Sequence, residues 1–176
     1  IQNICKNILD AEYQSIDWKN ISNQNTTGLY ALKLKATAKL PNQFQKILNE
    51  RDHRIIYFGK AETQTLGKRL GQELYAKGHG TFYRSIGAVL GYLPEASSLV
   101  GKKNQNNYKF SAVDNQNIIK WIEKNLEISI FPITQKFEIE KYIISGINSL
   151  LNDTHNSLSL QELKQLKNKC REIARN

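Results

Sequence analysis

The amino-acid sequence predicts an α+β domain in which a small, mainly antiparallel central sheet is flanked by helices. Three observations lead there. The run 28–34 (GLYALKL) alternates Leu29 and Ala31 around a β-compatible core, and 54–59 (RIIYFG) is rich in β-branched and aromatic residues, so the two read as the arms of a hairpin with a long insert. Elsewhere apolar residues recur every third or fourth position, the spacing of a helix face. Strand-like and helix-like segments follow one another in mixed order, which argues α+β with a small sheet. With 176 residues, 40% hydrophobic and 23% charged, one domain can bury roughly 70% of its unfolded surface and needs no staples.

The elements follow in order. Segment 1–27 carries Ile4, Ile8, Ala11 and Ile16 and turns polar through Ser22-Asn23-Gln24-Asn25, so a short helix and a linker are expected. In the hairpin's insert, Lys35 to His53, Pro41 precedes Phe44, Ile47 and Leu48, a spacing that suits a small helix. After the second strand, Thr63 or Thr65 can cap a helix reaching about Lys77, with Leu66, Leu70 and Leu74 one turn apart. Gly78-His79-Gly80 separates it from a second helix with the stripe Phe82, Ile86, Val89, Leu90 and Leu93, closed by Pro94. Residues 95–107 read as loop. Tyr108 to Val113 alternates as a strand, Asp114 then caps a helix through Trp121 and Ile122, and Leu126 to Ile133 is a further β-like run. Two last helices are expected from about Thr134 to Leu151 and from about Leu158 to Ala174. The latter has Leu160, Leu163, Leu166, Cys170 and Ile173 on one side and Lys164, Lys167 and Arg171 on the other.

The 25 Lys and Arg against 16 Asp and Glu leave a formal charge of +9, which draws a protein toward nucleic acid, an acidic membrane surface or an acidic partner. No run approaches the ~20 apolar residues of a membrane-spanning helix, and the N-terminus lacks the apolar core of a signal peptide. Cys5 and Cys170 lie near opposite ends with no C-x-x-C spacing, so a reducing, cytoplasmic setting is expected. Beginning at Ile1 and lacking methionine, the sequence reads as part of a longer translated product. Several chemistries drop out: there is no G-x-x-x-x-G-K-[ST] loop, H-E-x-x-H, G-x-S-x-G or G-x-G-x-x-G. His53, His79 and His155 are scattered, without metal-ligand spacing.

What remains is an ordered set: Gly28-Leu29-Tyr30, then Tyr57-Phe58-Gly59-Lys60-Ala61, a helix with Lys68-Arg69-Leu70, and a late segment Glu140-Lys141-Tyr142-Ile143-Ile144 followed by Leu150-Leu151-Asn152. The set resembles the GIY-YIG nuclease family over Gly28 to Asn152. A bacterial subgroup looks closer still, through Thr81-Phe82-Tyr83-Arg84-Ser85, Ile119-Lys120-Trp121-Ile122-Glu123 and Lys169-Cys170-Arg171. The resemblance implies a GIY-YIG nuclease-like fold and divalent-metal-dependent cleavage of DNA. Water would attack the phosphodiester with loss of the 3′ oxygen, at a site of Tyr30, Tyr57, Lys60, Arg69, Glu140 and Asn152.

In that scheme Glu140 holds Mg²⁺ or Mn²⁺, Arg69 neutralises charge on the phosphoryl group, and Asn152 positions its neighbours by hydrogen bonding. Tyr57, or alternatively Tyr30, acts as general base or orients the water, with Lys60 and Arg69 expected to favour the phenolate. Helical geometry bears on Glu140 separately. At 100° per residue, Phe137, Ile143, Ile144, Ile147 and Leu151 fall within about 60° of it, whereas Glu138 faces the other way with Tyr142 and Ser145. A carboxylate on an apolar stripe calls for a metal, or for a salt bridge to a Lys or Arg at the core's edge.

Arg69 can also be read as a helix-surface arginine paired with Glu73 one turn on. Many family members have histidine or tyrosine where Glu73 stands, which leaves the base open, with His79 or Tyr75 as auxiliary candidates. Arg84, Lys102 and Lys103 are expected to contact phosphates, or to form an ordinary solvated basic face. The anticipated division is an N-terminal helix and linker (1–27), the nuclease domain (28–152) and a basic C-terminal helix packed on it (153–176), acting as monomer or homodimer. The competing functions are a nucleic-acid-binding module of the same fold without turnover, and an RNA-directed nuclease or partner-binding protein.

Overall fold

The computed structural model describes residues 2–133 and 139–176. The chain runs through α1 (Gln2–Leu9), β1 (Gln14–Ser15), α2 (Trp18–Ser22), β2 (Gly28–Leu34), α3 (Asn42–Asn49) and β3 (Ile55–Ala61). It continues with α4 (Leu66–Leu74), α5 (Thr81–Val89), α6 (Ala112–Asn125), β4 (Leu126–Pro132), α7 (Glu140–Ile147) and α8 (Gln161–Arg175). The four strands form one sheet in the order β1-β4-β2-β3, every pair antiparallel. The α+β class, the small sheet and the β2–β3 hairpin are those the sequence predicts. The residues expected to form a linker instead carry β1 and α2, so the N-terminal segment supplies a strand to the sheet.

The central strand β2 is buried on both faces apart from Lys33, which is half-buried. Tyr30, Leu32 and Leu34 join the larger core with α4, α5, α6 and α8, while Leu29 and Ala31 join a second core with Cys5 and Ile8 of α1 and Ile143, Ile144 and Ile147 of α7. The sheet is therefore sandwiched between helix layers, each burying an apolar stripe against it. Cys5 and Cys170 are buried and free, one in each core. Among the described residues no helix is long and apolar enough to cross a membrane.

Thr65 caps α4, its hydroxyl accepting from Lys68 N at 3.3 Å. Two boundaries differ from expectation for identifiable reasons. Tyr108 to Val113 is not a strand: Tyr108 and Phe110 are buried aromatics, 5.7 Å apart edge to face, and Ser111 already caps α6. Ser111 Oγ accepts from Asp114 N at 3.1 Å and donates to the Asp114 carboxylate at 2.9 Å, so the cap is Ser111 and Asp114 is its partner. The helix of Glu140 stops at Ile147 because Asn148 turns left-handed at φ 53° and ends it. Leu150 to Asn152 leave the helix axis altogether. The part expected before Glu140, with Thr134, Phe137 and Glu138, lies outside the described residues.

Candidate active site

The hairpin register opposes Tyr30 to Gly59. A Cβ built on Gly59 would come within 2.4 Å of Tyr30 Oη. The Tyr30 ring therefore lies across the glycine, and only a residue without a side chain fits there. Gly28 is constrained in the same way, by the carbonyl of Phe131 on β4, 2.4 Å from its virtual Cβ. Tyr57 packs between Tyr30 and Phe82, with ring centroids 6.4 and 5.2 Å away. Both phenols are buried, Tyr30 completely, and the Tyr30 hydroxyl lies beside the Arg69 guanidinium. Burial, then the negative charge of Glu73, pushes both well above the ordinary phenol range. Arg69 pulls the other way and is outweighed. The expectation that neighbouring cations would favour phenolate is thus corrected: at neutral pH both tyrosines are hydroxyl donors.

Arg69 stands on α4, one turn before Glu73, and the two form an ion pair. Its guanidinium also donates to Gln72 Oε1 at 3.3 Å. Glu73 is fully buried, and its other oxygen accepts from Phe82 N at 2.7 Å, in the first turn of α5. One carboxylate therefore neutralises Arg69 and satisfies an open N–H of the next helix. Burial drives the Glu73 carboxyl upward against Arg69 and the Phe82 N–H. Burial also opposes the Arg69 charge, but Glu73 and the two phenols more than offset it and hold the guanidinium above its usual value. Arg69 is accordingly a buried-edge arginine with a fixed orientation, not a surface one.

Glu140 opens α7 at the junction of two clefts. One is lined by Lys60, Glu62, Gln64, Arg69 and Glu140, the other by Tyr57, Thr81, Glu140, Asn152, His155 and Lys167 among others. Its side chain is 24% exposed, and among the described residues its nearest cation is Lys60 Nζ at 3.6 Å, which is itself held closer by Glu62 at 3.0 Å. Burial raises the Glu140 carboxyl above the usual glutamate range; Lys60, Arg69 and His155 lower it, without cancelling the effect. The hydrogen bond from Lys60 to Glu62 and the charge of Glu140 hold the ammonium above its ordinary value.

Asn152 works on the backbone. Its Oδ1 accepts from Phe58 N and its Nδ2 donates to Phe58 O, both at 2.9 Å, while Ser149 Oγ donates to Oδ1 at 2.5 Å. Leu151 N donates to Ile56 O at 2.7 Å. This segment pairs with the open edge of β3 at Ile56 and Phe58, the residues on either side of Tyr57. Asn152→Ala leaves two buried backbone groups of Phe58 unpaired and is expected to cost about 2 kcal/mol, read as a lower midpoint in urea unfolding. An unchanged midpoint would mean that water replaces the carboxamide at no cost.

The model of the GIY-YIG catalytic domain matches residues 28–172, from the first strand signature into α8. The chain belongs to the GIY-YIG family. No curated protein and no solved structure matches it. The two signatures of this GIY-YIG chain, Gly28-Leu29-Tyr30 and Tyr57-Phe58-Gly59, are the hairpin arms that place the phenols, and Arg69, Lys60 and Glu140 gather on the same side. Other anticipated residues lie elsewhere. Tyr75 donates to Glu123 at 3.0 Å and stacks edge-on with Trp18. His79 is exposed in a separate cleft with Arg84 and Tyr108, and burial, Arg84 and Lys109 lower its pKa. Lys102 and Lys103 are exposed on the 95–107 loop.

Of two further residues at the site, sequence left His155 aside and read Glu73 only as a surface partner of Arg69. His155, held at φ 59° in the turn after Asn152, lines the cleft of Glu140 and Tyr57, and nothing in its spacing points there. Glu73 carried a usable signal: it lies three residues after Leu70 and next to Leu74, on the inner face of α4.

Proposed function

We propose that this GIY-YIG protein is a divalent-metal-dependent endonuclease that hydrolyses DNA phosphodiester bonds. The observation that carries the reading is Glu140, a partly buried carboxylate at the meeting of two clefts whose one close cation among the described residues, Lys60, is shared with Glu62. Among the described residues no three His, Cys, Asp or Glu side chains gather to hold a metal. A cation here would rest on Glu140 and complete its shell with water and substrate, which fits Mg²⁺ or Mn²⁺ and not a structural zinc. Bound there, the ion supplies Lewis-acid stabilisation to the scissile phosphate and its leaving 3′ oxygen.

The chain's own groups do the rest. Arg69, fixed by Glu73 and Gln72, presents positive charge to the phosphoryl oxygens as negative charge grows on them. Tyr57 donates its hydroxyl proton into the cleft and orients the phosphate or the attacking water, with Tyr30 packed behind it. Lys60 exchanges Glu140 for a phosphate oxygen when DNA enters. The proton of the attacking water goes to His155, which lines the cleft of Glu140 and Tyr57. Lys102 and Lys103 add sequence-independent attraction for the backbone. A cytoplasmic monomer cutting one strand, or a homodimer making staggered cuts, fits the same site.

The test is conversion of supercoiled, linear and single-stranded DNA by purified protein with Mg²⁺ or Mn²⁺, against the same mixture with chelator. Metal-dependent cutting is expected; salt-sensitive retention of DNA without cutting under either ion would leave a binding module in its place. His155→Ala is expected to slow cutting roughly 10²-fold to 10³-fold with an unchanged melting temperature, because the side chain is exposed. A rate equal to the parent's across pH 6 to about 9 would remove His155 from the mechanism.

A further inference from the structure

Beyond Tyr57 and Glu140 the molecule has a second basic cleft, between α5 and α8. It is lined by Thr81 and Arg84 of α5, Lys167 and Arg171 of α8, Tyr108, and asparagines of the 95–107 loop. Thr81 and Lys167 also line the Glu140 cleft, so the two are continuous. Lys167 is matched by Asp153 at 2.5 Å. The two arginines have no such match. Arg84 is half-buried and makes no side-chain hydrogen bond or ion pair among the described residues. Among the described residues Arg171 is held only by Asn168 Oδ1, at 2.5 Å from Nη1, and its Nε is buried without a partner.

We propose that Arg84 and Arg171 build a phosphodiester-binding subsite that grips the nucleic-acid backbone beside the scissile bond. Two half-buried guanidinium groups facing one cleft repel each other unless an anion lies between them. Burial and the nearby Arg171 both act to lower the Arg84 pKa, although Tyr108, Glu73 and Tyr57 partly counter this. The Tyr108 ring supports the guanidinium at 6.0 Å, and its hydroxyl donates to the Arg84 carbonyl at 3.3 Å, so the residue is held in place before any ligand arrives. Planar guanidinium forks and amide donors suit phosphate oxygens, and continuity with the Glu140 cleft favours a polynucleotide over an isolated anion. The identity of that polymer rests on the nuclease reading above; the existence of the subsite does not. The cleft makes α8 a part of the DNA track and not merely a cover for the core.

The experiment is DNA binding by fluorescence anisotropy in chelator, across a series of salt concentrations, so that no turnover is needed. Arg84→Gln and Arg171→Gln are each expected to weaken binding about tenfold and to reduce the salt slope by about one. Lys46→Gln, a charge change on exposed α3 away from the cleft, should do neither. If Arg84→Gln does not fold, Arg84→Lys keeps the charge, loses the fork, and should still weaken binding. In a scan of singly neutralised methylphosphonate DNAs, one position should weaken the parent and have no further effect on Arg171→Gln. Parent-like affinity and slope in both arginine variants, or losses no larger than that of Lys46→Gln, would overturn the subsite. So would inorganic phosphate raising the melting temperature of the parent alone while DNA affinity stays equal in all variants. Loss of binding in the variants without metal-dependent cutting by the parent would sink the nuclease reading and leave the subsite standing.

Discussion

Glu140→Gln is expected to slow metal-dependent cutting by roughly 10³-fold or more, with the protein still folded and still bound to DNA. An amide cannot offer the anionic oxygen a hard divalent cation needs. The structural cost should be small. Glu140 is the first residue of α7, where a carboxylate gains about 0.3–1 kcal/mol from the helix dipole. Its pairing with Lys60 is partly solvated, worth roughly 1 kcal/mol at most. Against both stands the relief of a carboxylate that burial already disfavours. Melting temperatures of parent and variant should therefore nearly coincide. Retention of DNA in chelator should tighten, because a negative charge leaves the cleft and Lys60 is released to meet phosphate. The raised Glu140 carboxyl also fixes the sign of the pH effect: proton and cation compete for it, so cutting should fail on acidification at a higher pH than an ordinary glutamate would dictate. Equal cutting by parent and variant would place the activity at another site or in a contaminant.

Much of this arrangement is legible in the sequence because local patterns and tertiary demands agree there. The run GLYALKL alternates around Leu29 and Ala31 and becomes a central strand residue for residue. Arg69 is found through the family resemblance, in which a helix with Lys68-Arg69-Leu70 follows the two strand signatures. Legibility fails where a pattern has two physical solutions. Alternating Tyr108 and Phe110 would fit a strand face, but here they pack around Arg84 and Tyr83 in an extended segment that Ser111 ends. It fails again for the tyrosine charges. Listing nearby cations gives the wrong sign, because desolvation of two buried phenols and a carboxylate four residues after Arg69 outweigh the guanidinium. Burial of that kind is a property of the packed chain, and so is the turn that delivers His155 to the cleft.

Glu73 separates stability from activity. Glu73→Ala is expected to cost about 3–5 kcal/mol, since it leaves Arg69 partly buried without its counter-charge, frees the Phe82 N–H and opens a hole in a fully buried position. Glu73→Gln keeps the volume and an oxygen for Phe82 N, and removes only the charge. Burial raises the Glu73 carboxyl in the folded chain above its unfolded value. A raised carboxyl contributes stability that is complete below the ordinary glutamate pKa and is lost as pH rises through the folded value. The parent should therefore show a downward step in melting temperature between acid and neutral pH that the glutamine variant lacks, and the variant, which still leaves Arg69 without its counter-charge, should melt below the parent but above Glu73→Ala. Cutting behaves differently. Without the ion pair, Arg69 keeps only the weaker hold of Gln72 at 3.3 Å and of the neighbouring Tyr30 among the described residues, and a guanidinium that is not aimed at the phosphoryl oxygens loses much of its value in the transition state. The rate should drop about 10-fold to 10²-fold, in kcat more than in KM. Melting curves against pH, set beside single-turnover rates, check both halves. A glutamine variant that cuts like the parent would show that Arg69 finds its own place, and that the carboxylate serves α5 alone.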